Sequence, residues 1–577
     1  MAFNKYYQEE LQALRELGAE FSRAHPALAP LLSGPSTDPD VERLLEGVAF
    51  LTGLIRRKLD DDFPEIIHGL TDLIFPHYLR PIPSTTVVAF SPKSNLQETL
   101  KIPAGTALAS VPVDGTECRF RTTFDTEIHP LKLTAAELIQ QPGQRDRIKL
   151  SLQLTGPDLS RWPVRTLRLF LGDEFQQAAD LFFLLTRHLR QITLHPATGG
   201  SDLVLPPEAL RPTGFSLASS LLAFPSQAFR GFRLLQEYFI LPQKFLFLEL
   251  EGLDRWTDRG KGSAFEILFE LAPAPVAPPR VRPENFVLFA TPAINLFPQS
   301  AEPVMLDHRQ DRVRIRPAVP NVAHVQVYSV EHVEGFIQGS VARREYVPLE
   351  RFSRHEIDRS VYQVVHGRSP VTGQPEVSLS LSYPPEGPDP VTETLSIDLV
   401  CTNGSLPERL QLGDISRPTS STPELVTFRN ILPPTPAIDP VLEENALWRF
   451  LSHLSLNFLS VASAESLQEL LRLYVLPGRD RAKIAGNLKR IDGITELRAE
   501  PGDRLLRGRP MRGQRIFLTA RQDNFAGLGD LCLFGALLDL FMGVYCSMNT
   551  FIEFTLCDSV SGETFTWPAR IGDRRLS

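Results

Sequence analysis

The stretch RIKLSLQL, Arg147 to Leu154, places Ile148, Leu150, Leu152 and Leu154 at every second position, with Arg147, Lys149, Ser151 and Gln153 between them. Successive side chains of an extended strand point to opposite faces, so the run predicts a strand with one buried and one solvated side. Runs of the same kind surround it. TTVVAF (Thr85 to Phe90), ECRFRTTFDTEI (Glu117 to Ile128) and VRTLRLFL (Val164 to Leu171) predict further half-buried strands between Thr85 and Leu271. One helix interrupts them, roughly Phe175 to Leu189, where Ala178, Leu181, Phe182 and Leu185 share a face.

Beyond Leu271 the sequence LAPAPVAPPRVRP (Leu271 to Pro283) is proline-rich without an apolar period, and reads as a semi-rigid linker or an extended crossing segment. Strand patterns resume from Glu284 to Arg429 in HVQVYSV, VYQVVH, EVSLSLSY and TLSIDLVCT. A second break, ILPPTPAIDP, spans Ile431 to Pro440. The C-terminal part mixes helices (Leu442 to Ser460, Ser466 to Leu473), the strand-like QRIFLTA, a strongly apolar helix from Leu531 to Met548, and the strands TFIEFTL and ETFTWP.

The N-terminal part is helical. In DPDVERLLEGVAFLTGLIRRKLDDDFPEI (Asp38 to Ile66), an N-cap carboxylate precedes a proline at the first helical position. Val41, Leu44, Leu45, Val48, Leu51, Ile55 and Leu59 then form one apolar stripe, opposite Glu42, Arg43, Glu46, Arg56 and Arg57. The helix should stop near Pro64, after about 24 residues and roughly 36 Å of rod. A shorter helix, Glu65 to Phe75, ends at Pro76. Upstream, Tyr7, Leu11, Leu14, Leu17 and Phe21 stripe another helix that stops at His25-Pro26. Either the stripes pack on each other as a small helical domain, or part of them faces partner helices.

The expected class is therefore multidomain α+β in segregated blocks without regular βαβ alternation. Residues 1–84 are expected to form a helical domain and 85–271 a β-rich domain with one inserted helix. A proline-rich linker is expected over 272–283, a second β-rich domain over 284–430 and a mixed C-terminal domain over 431–577. A chain of 577 residues exceeds what one core ordinarily supports.

A formal net charge of −8 opposes a general polyanion-binding role, since phosphate backbones need surplus Lys and Arg on the contact face. Nucleic acid is not expected as a partner. The local exception is RLLRGRPMRGQR, Arg504 to Arg515, with five arginines in 12 residues. It reads as a basic loop between strands that faces solvent or an acidic protein surface. Phenylalanine (36) far outnumbers methionine (5), which favours fixed aromatic packing over an adaptable groove. Proline reaches about 8.5% against a usual 5%, favouring short strands and fixed turns. Five widely spaced cysteines, Cys118, Cys401, Cys532, Cys546 and Cys557, contain no CxxC pair and read as reduced and mostly buried. MAFNKYYQEEL has no charged region followed by an apolar one, so no signal peptide is expected and a cytoplasmic location follows. Asp539 falls mid-way in the apolar stretch Leu531 to Met548, which argues for a buried helix and against membrane insertion.

Chemistry-bearing patterns fail one by one. RGKGS (Arg259 to Ser263) lacks the leading glycine of a phosphate loop and has Gly262 where a magnesium-binding Ser or Thr should stand. GLGD (Gly527 to Asp530) opens a helix without the spaced glycines of a dinucleotide fingerprint. GFSLA (Gly214 to Ala218) lacks the last glycine of a nucleophile elbow. The pairs His188/His195 and His324/His332 lack the spacing that converges on zinc. Asp60, Asp61 and Asp62 sit at a helix end, where a solvated face or a basic partner explains them. No catalytic residue, cofactor or metal is expected.

YYQEELQALRELGAEFSRAHPALAPLL with DPDVERLLEGVAFLTGLIRRKLDDDFPEI and FPHYLRPIPS resembles the TssF (VasA/ImpG) family of type VI secretion baseplate subunits. Further matches run in family order: LQEYFILPQKFLFLELEGL (Leu235 to Leu253), PENFVLFATPAINLFPQSAEPVMLDHR (Pro283 to Arg309), VYSVEHVEGF (Val327 to Phe336), DLVCTNGSLP (Asp398 to Pro407) and LSHLSLNFLSV (Leu451 to Val461). LFGALLDLFMGVYCSMNTFIEFTL (Leu533 to Leu556) and TWPARIGDRRL complete the chain. The resemblance implies a non-catalytic wedge subunit, two copies joining one TssG and each other, in contact with TssK, TssE and the VgrG hub. It implies a cytoplasmic baseplate docked at an inner-membrane complex. A wedge protein of a related contractile phage tail or injection particle, and a tail-associated hydrolase, are the competing readings. The interface residues expected on this basis are Tyr7, Leu11, Leu14, Leu17, Phe21, Leu51 and Ile55, with Arg507, Arg509 and Arg512 of the basic stretch. A linker such as Leu271 to Pro283 would let the two copies differ in domain orientation.

Overall fold

The computed structural model describes residues 7–8, 10–14, 17, 43–54, 71, 78–222, 230–307, 311–349, 359–369, 373–384, 392–442, 463–506, 508–544, 546 and 549–572. Over these residues the protein is a strand-rich α+β structure with few helices. Arg147–Leu154 is a strand whose Ile148, Leu150, Leu152 and Leu154 are buried, as the alternation requires. It lies between Ala264–Leu271 and Leu131–Ile139 in a five-stranded antiparallel sheet completed by Leu189–Pro196 and Leu203–Leu205. On the other face Lys149 reaches Glu137 at 3.2 Å and Glu266 at 3.0 Å, one acid from each neighbouring strand.

A four-stranded sheet, Leu210–Pro212, Phe247–Leu250, Leu167–Leu171 and Phe286–Leu288, shares the core of the first. Helix Phe175–Arg187 contributes Ala178, Leu181, Phe182 and Leu185 to that core, the face the sequence marks. A third sheet draws on distant segments: Val426–Asn430, Thr85–Pro92, Ala290–Ile294, Thr116–Thr122 and Ala107–Val113. The run Glu117 to Ile128 is thereby divided between Thr116–Thr122 and a short strand Thr126–Ile128.

Residues 297–402 make a separate body with its own core, built on Val333, Leu379, Leu395, Ile397, Leu399 and Cys401. Its strands run in the order Phe297–Ser300, Glu393–Thr402, Gln326–Ile337, Arg343–Pro348, Val361–Arg368, Pro375–Ser382, Val313–Arg314. The two ends meet: Ala301 bridges Pro317, the Glu302 N–H donates to the Arg316 carbonyl at 2.8 Å and the Ala318 N–H to the Ser300 carbonyl at 2.9 Å. The sheet closes on itself as a barrel, which removes exposed edges.

The packing groups the chain differently from the proline-rich segments. The strand that ends at Leu271 and the strand Phe286–Leu288 belong to sheets sharing one core, and Ala274, Val276 and Val281 between them pack against it. The segment is a strap across one body, because its valines find apolar cover there. Residues 431–438 likewise run beside 82–87, with the Ile431 N–H donating to the Val87 carbonyl at 2.9 Å and the Ile438 N–H to the Ile82 carbonyl at 3.0 Å.

At the C-terminal end, helices Ala464–Leu473 and Arg481–Asp492 precede a long hairpin, Ile494–Leu506 and Arg509–Ala520. The second hairpin strand, helix Leu528–Val544 and strand Thr550–Asp558 form one βαβ unit with the two strands parallel. Thirteen of the helix's 17 residues are buried, so its all-round apolarity answers to protein and not to lipid. Among the described residues no helix is long and apolar enough to cross a membrane. Helix Leu442 to Ser460, the helix end at Asp60 to Asp62 and the helix Glu65 to Phe75 are expectations that lie outside the described residues, apart from Leu442 and Thr71.

Candidate functional site

The residues singled out as phosphate, nucleotide or catalytic motifs do structural work. Arg259 of RGKGS is buried and donates to the carbonyls of Trp162, Trp256 at 2.6 Å and Leu253 at 2.7 Å, while Gly260, at φ +68°, lies against the backbone of Thr198 and Gly199. In GLGD, Gly529 lets the long helix cross helix Phe175–Arg187: a Cβ there would stand 2.5 Å from the Ala179 carbonyl carbon and 2.6 Å from the Asp180 nitrogen. Asp530 accepts from Tyr238 at 2.9 Å, from the Arg490 Nε at 2.8 Å and from the Ala526 N–H at 3.0 Å, tying four segments together. Gly214 of GFSLA packs against the backbone of Lys244 and Phe245. The histidines do not converge. His188 meets the Pro273 carbonyl, His195 pairs with Asp202 and His324 contacts Asn321 and Thr116. Among the described residues no group of three metal-type side chains comes together.

The groups that burial perturbs most lie inside these bodies. Burial pushes the Cys118 and Cys401 thiols up to about 12 and the His129 imidazole down to about 4. Lys244, fully enclosed beside Glu237 and Arg233, is lowered to about 8, also by burial. Glu237 accepts from the Leu221 N–H at 2.8 Å as well, so the cluster pins a loop to helix Arg230–Ile240. In the barrel, Glu393 is enclosed by Tyr346, Tyr383 and Arg344 and lies against Gly335. The carboxylates of Glu237 and Glu393 accept hydrogen bonds from these neighbours, the pairing that burying a charge calls for.

What the chain presents outward is different. The helix over residues 43–54 buries Ala49 and Gly53, half-buries Leu45 and turns its other large apolar residues out. Leu44 is 70% and Leu51 60% exposed, and Val48, Phe50 and Leu54 are exposed as well. Leu44, Val48 and Leu51 share one face, and with Val41 and Ile55 they make the 3-4-3-4 spacing of a coiled-coil seam, β-branched residues at one position and leucines at the other. Among the described residues the stripe is thus exposed at Leu44, Val48 and Leu51. Of the other expected interface residues, Tyr7, Leu11 and Leu14 are half-buried and Leu17 is exposed, while Phe21, Ile55 and Arg507 lie outside the described residues. Leu44 and Val48 were legible as stripe members; Phe50 and Leu54 lie off its centre and carry no sequence signal of exposure.

The basic stretch departs from expectation. It is the outer half of a hairpin, not a loop between strands: Arg504 pairs across to Met511, Leu505 to Pro510 and Leu506 to Arg509, with the turn made at Gly508, φ +75°. A positive-φ glycine is what a tight turn between two strands requires. The flanking strand residues run into the turn without a break, so strand pairing carries through the arginines. Arg504 is tied to Glu553 at 2.9 Å; Arg512 is 94% exposed, with Asp503 at 3.9 Å.

Among the described residues the chain thus presents two outward surfaces, the helix over 43–54 and the hairpin. The family model "Type VI secretion system, TssF" matches residues 1–574. The type VI secretion system component TssF1 of Pseudomonas aeruginosa strain PAO1 is 31% identical over 99% of this chain and 98% of its own length. A chain in the cryo-electron microscopy structure of the type VI secretion TssK–TssF–TssG baseplate subcomplex is similar at a TM-score of 0.79 and 32% identity, over 93% of this chain and 100% of that one. A chain of a type VI secretion baseplate complex is similar at a TM-score of 0.62 and 26% identity, over 99% and 100%. With a family model spanning nearly every residue and a relative aligned end to end, this chain belongs to the TssF family of type VI secretion systems.

Proposed function

We propose that this protein is a non-catalytic structural subunit of a type VI secretion baseplate wedge, joined to TssG through the apolar face of the helix over residues 43–54. The observation that carries the reading is that Leu44, Val48 and Leu51 are exposed along one seam while Ala49 and Gly53 face inward. A surface helix that turns small residues to its own chain and leucines to solvent is arranged for a partner helix, since burying each leucine is worth about 1.5–3 kcal/mol. Two copies of this chain per TssG, with TssK, TssE and the VgrG hub beyond them, complete the wedge on this reading, in a cytoplasmic assembly docked at the inner-membrane complex. The similar chain in the TssK–TssF–TssG baseplate subcomplex supports TssG and TssK as partners.

The test is co-expression of this chain with TssG and TssK, followed by size-exclusion chromatography with mass measurement. The wild-type chain should elute with TssG, and the double substitution Leu44→Asp/Leu51→Asp should release it, while leaving the thermal unfolding of the isolated chain unchanged. Elution of wild-type chain apart from TssG would sink the wedge assignment. Retention of the double variant at wild-type yield would sink this face as the contact.

A further inference from the structure

The barrel over residues 297–402 keeps a core of its own, and its tie to the larger body lies where the chain enters and leaves it. There three strands run together: Phe297 of the entering strand pairs with Cys401 of the leaving one, and Val327 pairs with Cys401 from its other side. Apolar contact between the two bodies at this stem is narrow. Val327 and Cys401 turn to the barrel core, while their neighbours Tyr328 and Val400 turn to the larger one.

Two buried asparagines flank the stem, Asn295 just before the entering strand and Asn403 just after the leaving one, 0% and 3% exposed. The Asn295 amide nitrogen donates to the Arg119 carbonyl at 2.7 Å and to Asn403 Oδ1 at 2.9 Å, and its oxygen accepts from the Thr402 hydroxyl at 2.7 Å and the Asn403 N–H at 2.6 Å. Both amide hydrogens and both lone pairs of Asn295 are thereby used. Asn403 Oδ1 also accepts from the Arg119 N–H at 3.0 Å, and its amide nitrogen donates to the His324 carbonyl at 3.2 Å. Arg119 belongs to strand Thr116–Thr122 of the larger body, and His324 stands at the foot of barrel strand Gln326–Ile337. The two amides therefore clasp body, stem and barrel at one point, and a satisfied buried network of this kind specifies one geometry.

Elsewhere the bodies stand apart. A cleft of about 830 Å³ is lined by Glu302, Arg316 and Glu376 of the barrel and by Asp439, Pro477 and Arg479 of the larger body. Glu376 pairs with Arg314 of the barrel, and Arg479 with Glu408 of the larger body at 3.3 Å, so these charges are matched within their own bodies.

We propose that the Asn295–Asn403 clasp is a latch: closed, it sets the orientation of the barrel on the larger body, and released, it lets the barrel turn about the stem and change the width of the cleft while both cores stay folded. Both asparagines stand at the ends of strands, where hinge residues are found. Amide groups released from the clasp exchange their bonds for bonds to water, so opening it does not carry the penalty of a buried polar group left unpaired. The latch is a property of the isolated chain and is independent of the wedge reading.

The experiment is double electron–electron resonance on the full chain with nitroxides at Glu302→Cys and Asp439→Cys, exposed positions that line the cleft from either body, in a Cys557→Ser background, the other four cysteines being buried. This parent should give one narrow distance distribution. Asn295→Ala/Asn403→Ala should widen it at least about twofold, as a freed hinge does. Amide exchange in barrel strand Val361–Arg368 and in helix Leu528–Val544 should stay at the parent's level. Thr116→Val, which takes away only the hydroxyl that meets His324 Nδ1 at 2.7 Å beside the clasp, should leave the distribution narrow. A double variant as narrow as the parent overturns the latch, as does a parent or a Thr116→Val chain already as wide as the double variant. Loss of amide protection in either body of the double variant overturns it too, because the clasp would then hold the fold and not the orientation.

Discussion

His129 is 1% exposed, edge-on to Trp162 and beside Phe289, with Nδ1 2.9 Å from the Thr99 hydroxyl. Burial lowers it to about 4 from an ordinary 6.5. Between those values the unfolded chain binds a proton that the folded chain refuses, so stability is intact above pH 6.5 and is lost as pH falls towards 4. A displacement of that size corresponds to about 3 kcal/mol. Chemical denaturation of the isolated chain at pH 7 and at pH 4.5 should show a fall that His129→Gln makes measurably shallower; an identical fall in the variant would mean His129 is not the group responsible. At the same scale, Asp539 was legible as the charge inside an apolar helix, but not its partner. Arg570 reaches it at 2.6 Å from beyond the last long strand, and Arg187 stacks on Trp567 at 4.3 Å, a cluster assembled from three distant parts of the chain. Burial still raises the Asp539 carboxyl, so this pair is a matter of fit more than of net stabilisation.

Two helices show how far the environment decides the worth of the same residue type. Leu537 in Leu528–Val544 is fully buried and Leu51 in the helix over 43–54 is 60% exposed. Leu537→Ala should cost about 2–5 kcal/mol of unfolding free energy, the transfer term plus a cavity. Leu51→Ala should change the isolated chain by no more than about 0.5 kcal/mol, as a surface substitution does. Urea denaturation of both variants checks the pair, and equal losses would place Leu51 in a core of its own chain. The all-round apolarity of Leu528–Val544 marked it as interior, whereas the period of the helix over 43–54 was silent on what its apolar face meets, because a 3.6-residue stripe records only that one face avoids water. Helix Arg481–Asp492 escaped the sequence reading since it buries only Asn487 and Ile491, too little to print a stripe. The hairpin escaped because five arginines and two prolines mask its alternation.

Across the whole molecule, the core of the closed barrel and the larger core around helix Leu528–Val544 are separate clusters. Leu395→Ala, which opens a cavity in the barrel, should raise amide exchange in strands Gln326–Ile337 and Glu393–Thr402 while leaving helix Leu528–Val544 protected. Hydrogen-exchange mass spectrometry reads both at once, and a matching rise in the helix would show that the two cores unfold together. The proline-rich strap between Leu271 and Pro283 is held on the larger core by Ala274, Val276 and Val281.

The sequence by itself determined several of the strands, Arg147–Leu154 among them, that helix Phe175–Arg187 packs on them, that Leu528–Val544 is interior, and the family, because alternation, stripe and long matched strings are local properties of the chain. Only the tertiary structure decided that strands at 85–92, 290–294 and 426–430 share a sheet, that residues 297–402 close into a barrel, and that Ile494–Leu506 and Arg509–Ala520 pair as a hairpin. It alone decided that the stripe of Leu44, Val48 and Leu51 faces outward. The physical reason is common to all four: pairing partners hundreds of residues apart, and the side of an element that meets water, are set by what packs against it, and a period cannot record its neighbour.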